Sequence, residues 1–209
     1  EKIQNGFKVA LVSDAGTPSI SDPGFRFVGM AVKYGVKVVP IPGVSAVIAA
    51  LSVSGLSTDS FIFIGFPPKK PGRRKKMLEG LSGDNRTLIF YESPHRIIKF
   101  LEELLSVFGP REASLSREIT KLYEEHVRGS LGDILRELEG RDSVKGEITL
   151  IVSGKLIKPP DSSDTVEREI RRRLGDHKTK KSVLARELAL EFGISRKEIY
   201  AQILKISDI

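Results

Sequence analysis

SDAGTP, Ser13 to Pro18, ends the apolar run Val9 to Val12. A short valine-rich run that stops at Ser-Asp and turns through Ala-Gly-Thr-Pro reads as a buried strand opening into a sharp loop. In open α/β sheets small molecules bind beyond the carboxyl ends of the strands, where Gly16 lets a ligand approach the backbone and Asp14 offers a fixed acceptor. An ordinary strand-to-helix loop with Asp14 as a local cap accounts for the same six residues.

Working outward, Lys8 to Ser13 is expected as a strand, Gly24 to Tyr34 as a helix opened by Pro23-Gly24 and closed by Gly35, and Val36 to Ile41 as a second strand. One such βαβ unit does not cover both faces of a parallel sheet, so further strands are expected outside this sequence. PGVSA, Pro42 to Ala46, then opens an apolar, small-residue helix through Leu51. Its first amide groups face a ligand, or Ser45 simply caps a buried helix.

The pattern restarts at Phe61: strand Phe61 to Ile64, a GFPP turn, a basic segment and helix to Leu81, strand Thr87 to Tyr91, helix Pro94 to Phe108, and strand Ala113 to Ser116. A polar crossing through Tyr123 to Gly129, a helix Leu131 to Leu138 and a strand Glu147 to Ser153 complete it. This order predicts an α/β fold with a mixed sheet. Residues 1–44 are read as the remainder of an N-terminal α/β domain, 45–154 as a second α/β domain, and 155–165 as a polar linker with Pro159-Pro160. Residues 166–209 are read as a helical extension in which Val183, Leu184, Leu188, Ile194, Ile199 and Ile203 recur at helical spacing around Gly193. Two helices about a glycine turn resemble a helix-turn-helix, either for nucleic-acid contact or as a packed appendage.

A 209-residue chain with 40% hydrophobic and 29% charged residues and a mean hydropathy of -0.12 has the balance of a soluble globular protein. It has no cysteine, which excludes disulfides and thiolate metal sites, and no two of His95, His126 and His177 share a metal-ligand spacing, so no metal site is expected. The uncharged stretch Val38 to Thr58 is broken by Pro40, Pro42 and Gly43 and reads as strand, turn and buried helix rather than a membrane span. A net charge of +7 points to a polyanionic partner. The densest basic run, Lys69, Lys70, Arg73, Arg74, Lys75 and Lys76, has no acid within it and is read as a phosphate-backbone contact, against solubility or helix propensity alone.

YESPHR, Tyr91 to Arg96, and SREITKLYEE, Ser116 to Glu125, each follow an apolar strand directly. If both strand ends face one crevice, Glu92, His95, Arg96, Glu118 and Lys121 converge there; solvated loop charges are the alternative.

VALVSDAGTPSISDPG, VVPIPGVSA, ALSVSGL, GFPP, TLIFYESPHR and LSREITKLYEE, in this order, resemble the small-subunit ribosomal RNA 2′-O-methyltransferases of the tetrapyrrole methylase superfamily, from about Gly6 to Ser153. The helical extension is also similar. The resemblance implies a two-domain tetrapyrrole methylase-like fold with S-adenosylmethionine in a cleft between the domains. It implies methylation of the ribose 2′-hydroxyl of a cytidine in the decoding region of 16S rRNA, a cytoplasmic location and a homodimer. By that resemblance Asp14, Thr17, Ser45, Ala46, Glu92 and Ile119 are expected at the cofactor. Glu118 or Glu92 is expected to accept the proton, with His95 as an alternative base and Lys121 and Arg96 holding phosphates or acidifying the hydroxyl. The family's TPIGNL-like loop on the first strand has no counterpart here. A tetrapyrrole-precursor methyltransferase of the same superfamily and a non-enzymatic helix-turn-helix protein are the rival readings.

Overall fold

The structure, a computed structural model, describes residues 2–156, 163–175 and 181–207. Its contacts divide the chain between Lys155 and Leu156 into two units.

In the first unit, β1 (Phe61–Gly65), β2 (Thr87–Glu92), β3 (Glu112–Arg117), β4 (Glu125–Ser130) and β5 (Ile148–Val152) form one sheet in the order β1-β2-β5-β3-β4. β1 and β2 are parallel and the other pairings antiparallel, which makes the sheet mixed, as expected. Strand alternation decides the layers. Leu88, Phe90, Leu115, Leu150 and Val152 face one way, against α3 (Pro71–Leu81), α4 (Ile97–Phe108) and α5 (Leu131–Glu139). Ile89 and Ile151 face the other way, against Val47, Ala50 and Leu51 of α2 (Ala46–Val53). α4 buries Ile97, Phe100, Leu101 and Leu104, the stripe that a 3.6-residue period puts on one face. α5 opens on a capping box in which Ser130 and Asp133 satisfy each other's backbone amides.

β4 replaces the polar crossing expected over Tyr123 to Gly129. Only Val127 of this edge strand reaches the core, while Arg128 turns outward to the Val53 carbonyl, so the apolar alternation that signals a strand is missing. Charges on an edge also discourage pairing with another chain. α4 begins at Ile97 rather than Pro94, because the Ser93 carbonyl accepts from both Arg96 N and Ile97 N in a separate turn.

The expected strands 8–13 and 36–41 pair with nothing among the described residues, although α1 (Phe25–Lys33) forms between them as predicted. A strand exists by virtue of a neighbour's ladder, and without one Val9, Val12, Val39 and Ile41 are left exposed. α1 has no buried residue.

Glu125 ties the end of the β3–β4 pair to the segment that follows α5, with Arg117 Nε at 2.9 Å and Arg141 Nη2 at 2.7 Å. Arg141 first and then Arg117 hold its carboxyl down at about 2. An unfolded glutamate titrates near ~4.3, so the stabilisation is complete above that pH and is lost as pH falls toward 2. Acid unfolding of the Glu125→Gln variant should therefore show less loss of stability between about pH 4.5 and pH 2 than the parent, measured by urea midpoints at each pH; equal slopes would remove Glu125 from the acid transition.

The second unit contains α6 (Ser163–Gly175), α7 (Lys181–Phe192) and α8 (Arg196–Ser207) around Val166, Ile170, Leu184, Leu188, Ile199 and Ile203. Helix α6 begins inside the stretch read as linker, and Pro159-Pro160 lie outside the described residues. Val183 stays at the surface, whereas Ser195 and Glu198 cap α8 reciprocally. No helix among the described residues is long and apolar enough to cross a membrane.

Candidate active site

A cavity of about 450 Å³ lies in the first unit where the Asp14–Asp22 loop, the start of α2, and the ends of β1, β2 and β5 meet. Asp14, Thr17, Ser45, Ala46 and Glu92, drawn from three separate stretches of sequence, all line it. Thr17 Oγ1 donates to the Val44 carbonyl at 3.4 Å, joining the SDAGTP loop to the turn before α2. The Ser45 side chain makes no capping bond, so it leaves the first amides of α2 to other acceptors. Ile119 is elsewhere: it packs with Tyr91 against the α2 side of the sheet.

Glu92 closes β2 with its side chain 1% exposed. It accepts from Ser93 N at 2.6 Å and from Arg96 Nη2 at 2.5 Å, four residues on across the turn before α4. Arg96 is thereby committed to the wall, and its buried Nη1 has no hydrogen-bond partner. His95, between them in sequence, is exposed and does not line the cavity.

Glu118 and Lys121 do not line it either; they act on its rim. Glu118 Oε1 accepts from Glu147 N at 2.8 Å and from Lys121 Nζ at 2.9 Å, and Lys121 also reaches Glu147 Oε2 at 3.1 Å. The Glu147 amide first, then the Lys121 ammonium, hold the Glu118 carboxyl below its ordinary range, which suits an anchored acceptor better than a base. Glu118 adopts φ 53°, a left-handed conformation that costs a non-glycine residue of order 1–3 kcal/mol and is here compensated by the clamp. Gly146, which lines the cavity, leaves room for that carboxylate: a Cβ there would stand 2.6 Å from Glu118 Oε1.

Within the basic run, Lys69, Lys70, Arg73, Lys75 and Lys76 are exposed along and just before α3. Arg74 departs from the reading of a phosphate contact. Its side chain is 7% exposed, bound to Glu103 through Nε at 2.5 Å and Nη2 at 2.6 Å, and it donates to the Pro68 and Lys69 carbonyls. Helical spacing turns this one cation of the six onto the α4 side.

The cavity also takes in Phe66, Tyr91, Asp22 and Glu147, which sequence reasoning did not place there. Asp22 repeats the Ser-Asp of the first loop, and Phe66 sits in the GFPP turn that follows an apolar strand, so each left a faint signal; Glu147 left none, since its place depends on how β5 pairs. Burial pushes the Tyr91 phenol up, away from any role as a base at neutral pH. The charged side chains lining the cavity, Asp14, Asp22, Glu92 and Glu147, are all carboxylates. Arg96 balances Glu92 and Lys121 reaches Glu147, so Asp14 and Asp22 are the carboxylates that suit a cationic ligand.

Residues 1–135 match the family model of the tetrapyrrole (corrin/porphyrin) methylases. The chain belongs to the tetrapyrrole methylases. The chain is 40% identical over 207 residues, 99% of its length, to the ribosomal RNA small subunit methyltransferase I of Mesorhizobium japonicum, 69% of which it covers. It is 48% identical over 149 residues to the protein of that name from Halalkalibacterium halodurans and 49% identical over 158 residues to the one from Haemophilus influenzae, covering 51% and 56% of them. The chain thus spans between about half and about seven-tenths of these relatives' length. In fold it is similar to the crystal structure of the methyltransferase CobJ, with a TM-score of 0.56 over 74% of this chain and 67% of that one, at 20% identity.

Proposed function

We propose that the protein is an S-adenosylmethionine-dependent methyltransferase of small-subunit ribosomal RNA, and that its acceptor is the ribose 2′-hydroxyl of a cytidine in the decoding region. The observation that carries the reading is the meeting of Asp14, Thr17, Ser45, Ala46 and Glu92 on one cavity whose charged lining is acidic. The volume is within the range of small-molecule sites, and Asp14 and Asp22 match a cofactor that bears a sulfonium and an ammonium beside its one carboxylate. The name shared by the relatives supports the ribosomal RNA substrate.

When bound, the cofactor supplies a methyl group on a good leaving group, so the protein's task is alignment and proton removal. Asp14, Thr17, Ser45 and Ala46 would hold the cofactor. Of the two carboxylates read as proton acceptors, Glu92 is the one on the wall, and it takes that role here with Arg96 fixing its orientation. Glu118 and Lys121 hold the Gly146–Glu147 rim in place. The exposed cations Lys69, Lys70, Arg73, Lys75 and Lys76 would follow the RNA backbone, a contact that weakens with salt. A homodimer in the cytoplasm belongs to the same reading.

The test is methyl transfer to small ribosomal subunits lacking the modification, read by mass spectrometry of digested RNA. The expected product is 2′-O-methylcytidine. Methylation of a base instead would keep the substrate and overturn the acceptor; no RNA product in the presence of measured cofactor binding would overturn the RNA reading.

A further inference from the structure

We propose that Phe66 is the platform on which the base of the acceptor nucleotide stacks, an inference that rests on the reading of the protein as an RNA methyltransferase. A single exposed phenylalanine is ordinary on a protein surface. What distinguishes Phe66 is how it is presented. It lines the cavity, yet its residue is 54% exposed.

Its position is built by its neighbours. The pairing of β1 with β2 slips between Phe63 and Gly65, and Gly65 takes φ 73°, so the chain leaves the sheet and turns Phe66 out of the strand's alternation. Ser21 Oγ would lie 3.0 Å from a Cβ at Gly65, which keeps the opposite loop of the cavity close to this turn. Pro67 and Pro68 follow and restrict the backbone. Arg74 then binds the Pro68 and Lys69 carbonyls, fixing the far side of the turn. The Phe66 ring leans on Tyr91, with centroids 5.6 Å apart at 58°. It is thus supported by Tyr91 and exposed at the cavity.

Three residues after this ring begin the cations Lys69, Lys70 and Arg73, all exposed. An aromatic face at the mouth of a reaction cavity, followed at once by phosphate-binding charges, is the arrangement by which proteins hold a splayed single-stranded nucleotide: the ring takes the base and the cations take the backbone. The cofactor contacts proposed above come from the SDAGTP loop and the start of α2, which leaves the β1 side of the cavity for the acceptor.

The experiment compares Phe66→Ala, Phe66→Leu and Phe66→Trp with the parent, using unmodified small ribosomal subunits as acceptor and S-adenosylhomocysteine as the calorimetric probe of the cofactor site. Loss of a stacked base predicts that KM for the subunits rises about tenfold in Phe66→Ala. Phe66→Leu, which keeps apolar bulk without a π face, should also be impaired, and Phe66→Trp should restore the parent value. S-adenosylhomocysteine affinity should stay unchanged in all three. Weaker S-adenosylhomocysteine binding with an unchanged KM for the subunits would assign Phe66 to the cofactor and overturn the proposal, as would parent-like kinetics in Phe66→Ala and Phe66→Leu. If the parent itself binds S-adenosylhomocysteine but methylates no RNA, the functional reading fails and the stacking role fails with it.

Discussion

Gly154→Ala should lower the unfolding free energy by about 3 kcal/mol, at the upper end of what overpacking a tight interior usually costs. A Cβ at Gly154 would sit inside the van der Waals envelope of the Asn85 carbonyl and only 2.8 Å from Arg86 N. Both are backbone atoms, and neither has a rotamer through which to move aside. The two segments are joined at this point: Lys155 N donates to the Asp84 carbonyl at 2.6 Å, and the Asp84 side chain in turn accepts from Arg86 N at 2.9 Å. Separating them would strain the bond from Ser153 N to the Glu112 carbonyl and pull on β5, the central strand of the sheet. Gly80→Ala is the control, because nothing lies within 4 Å of its Cβ and it sits inside α3. That change should raise stability by about 0.5–1 kcal/mol through helix propensity. Urea unfolding of the two variants checks the contrast; equal midpoints would show that the β5 end yields more readily than its contacts indicate.

Glu92→Ala should cost about 3–5 kcal/mol, the usual penalty for removing one partner of a buried ion pair. The Arg96 guanidinium, which already has one buried nitrogen without a partner, would lose its counter-ion, and Ser93 N would lose its acceptor. Because such a variant reports mainly on folding, Glu92→Gln separates the two roles of the residue. The amide oxygen still accepts from Ser93 N, so much of the wall survives, while the capacity to take a proton is gone. With Glu92 as proton acceptor, methyl transfer in Glu92→Gln should fall about 100-fold or more, with S-adenosylhomocysteine affinity near the parent's. A rate within about threefold of the parent in a folded variant would make Glu92 a structural wall residue.

Much of the site could be read from local patterns. Ser13 to Pro18, Pro42 to Ala46 and Tyr91 to Arg96 each combine a strand or turn signal with polar residues that helix or strand formation does not require, and the fold gathers Asp14, Thr17, Ser45, Ala46 and Glu92 from them onto one cavity. Residues whose surroundings come from a distant segment were less legible. Glu118 and Lys121 follow a strand just as Glu92 does, but their partner is Glu147, brought to them by the antiparallel pairing of β3 with β5. No spacing along the chain encodes that contact. Nothing along the run sets Arg74 apart from its neighbour Arg73 until α3 packs on α4 and gives it Glu103.

What the amino-acid order determined by itself was therefore the set of elements and their polarity: apolar runs long enough for strands, the one-sided stripe of α4, the capped start of α8 and the turns between them. These depend on periodicities and caps that act within a few residues. The tertiary structure alone decided which apolar runs became strands. The edge strand β4 formed around a single inward valine because β3 was there to pair with it, whereas the valine-rich segments 8–13 and 36–41 did not, having no ladder partner among the described residues. It also decided which charges are contacts and which are surface, because a carboxylate or guanidinium takes its role from the group that packing places within about 3 Å of it.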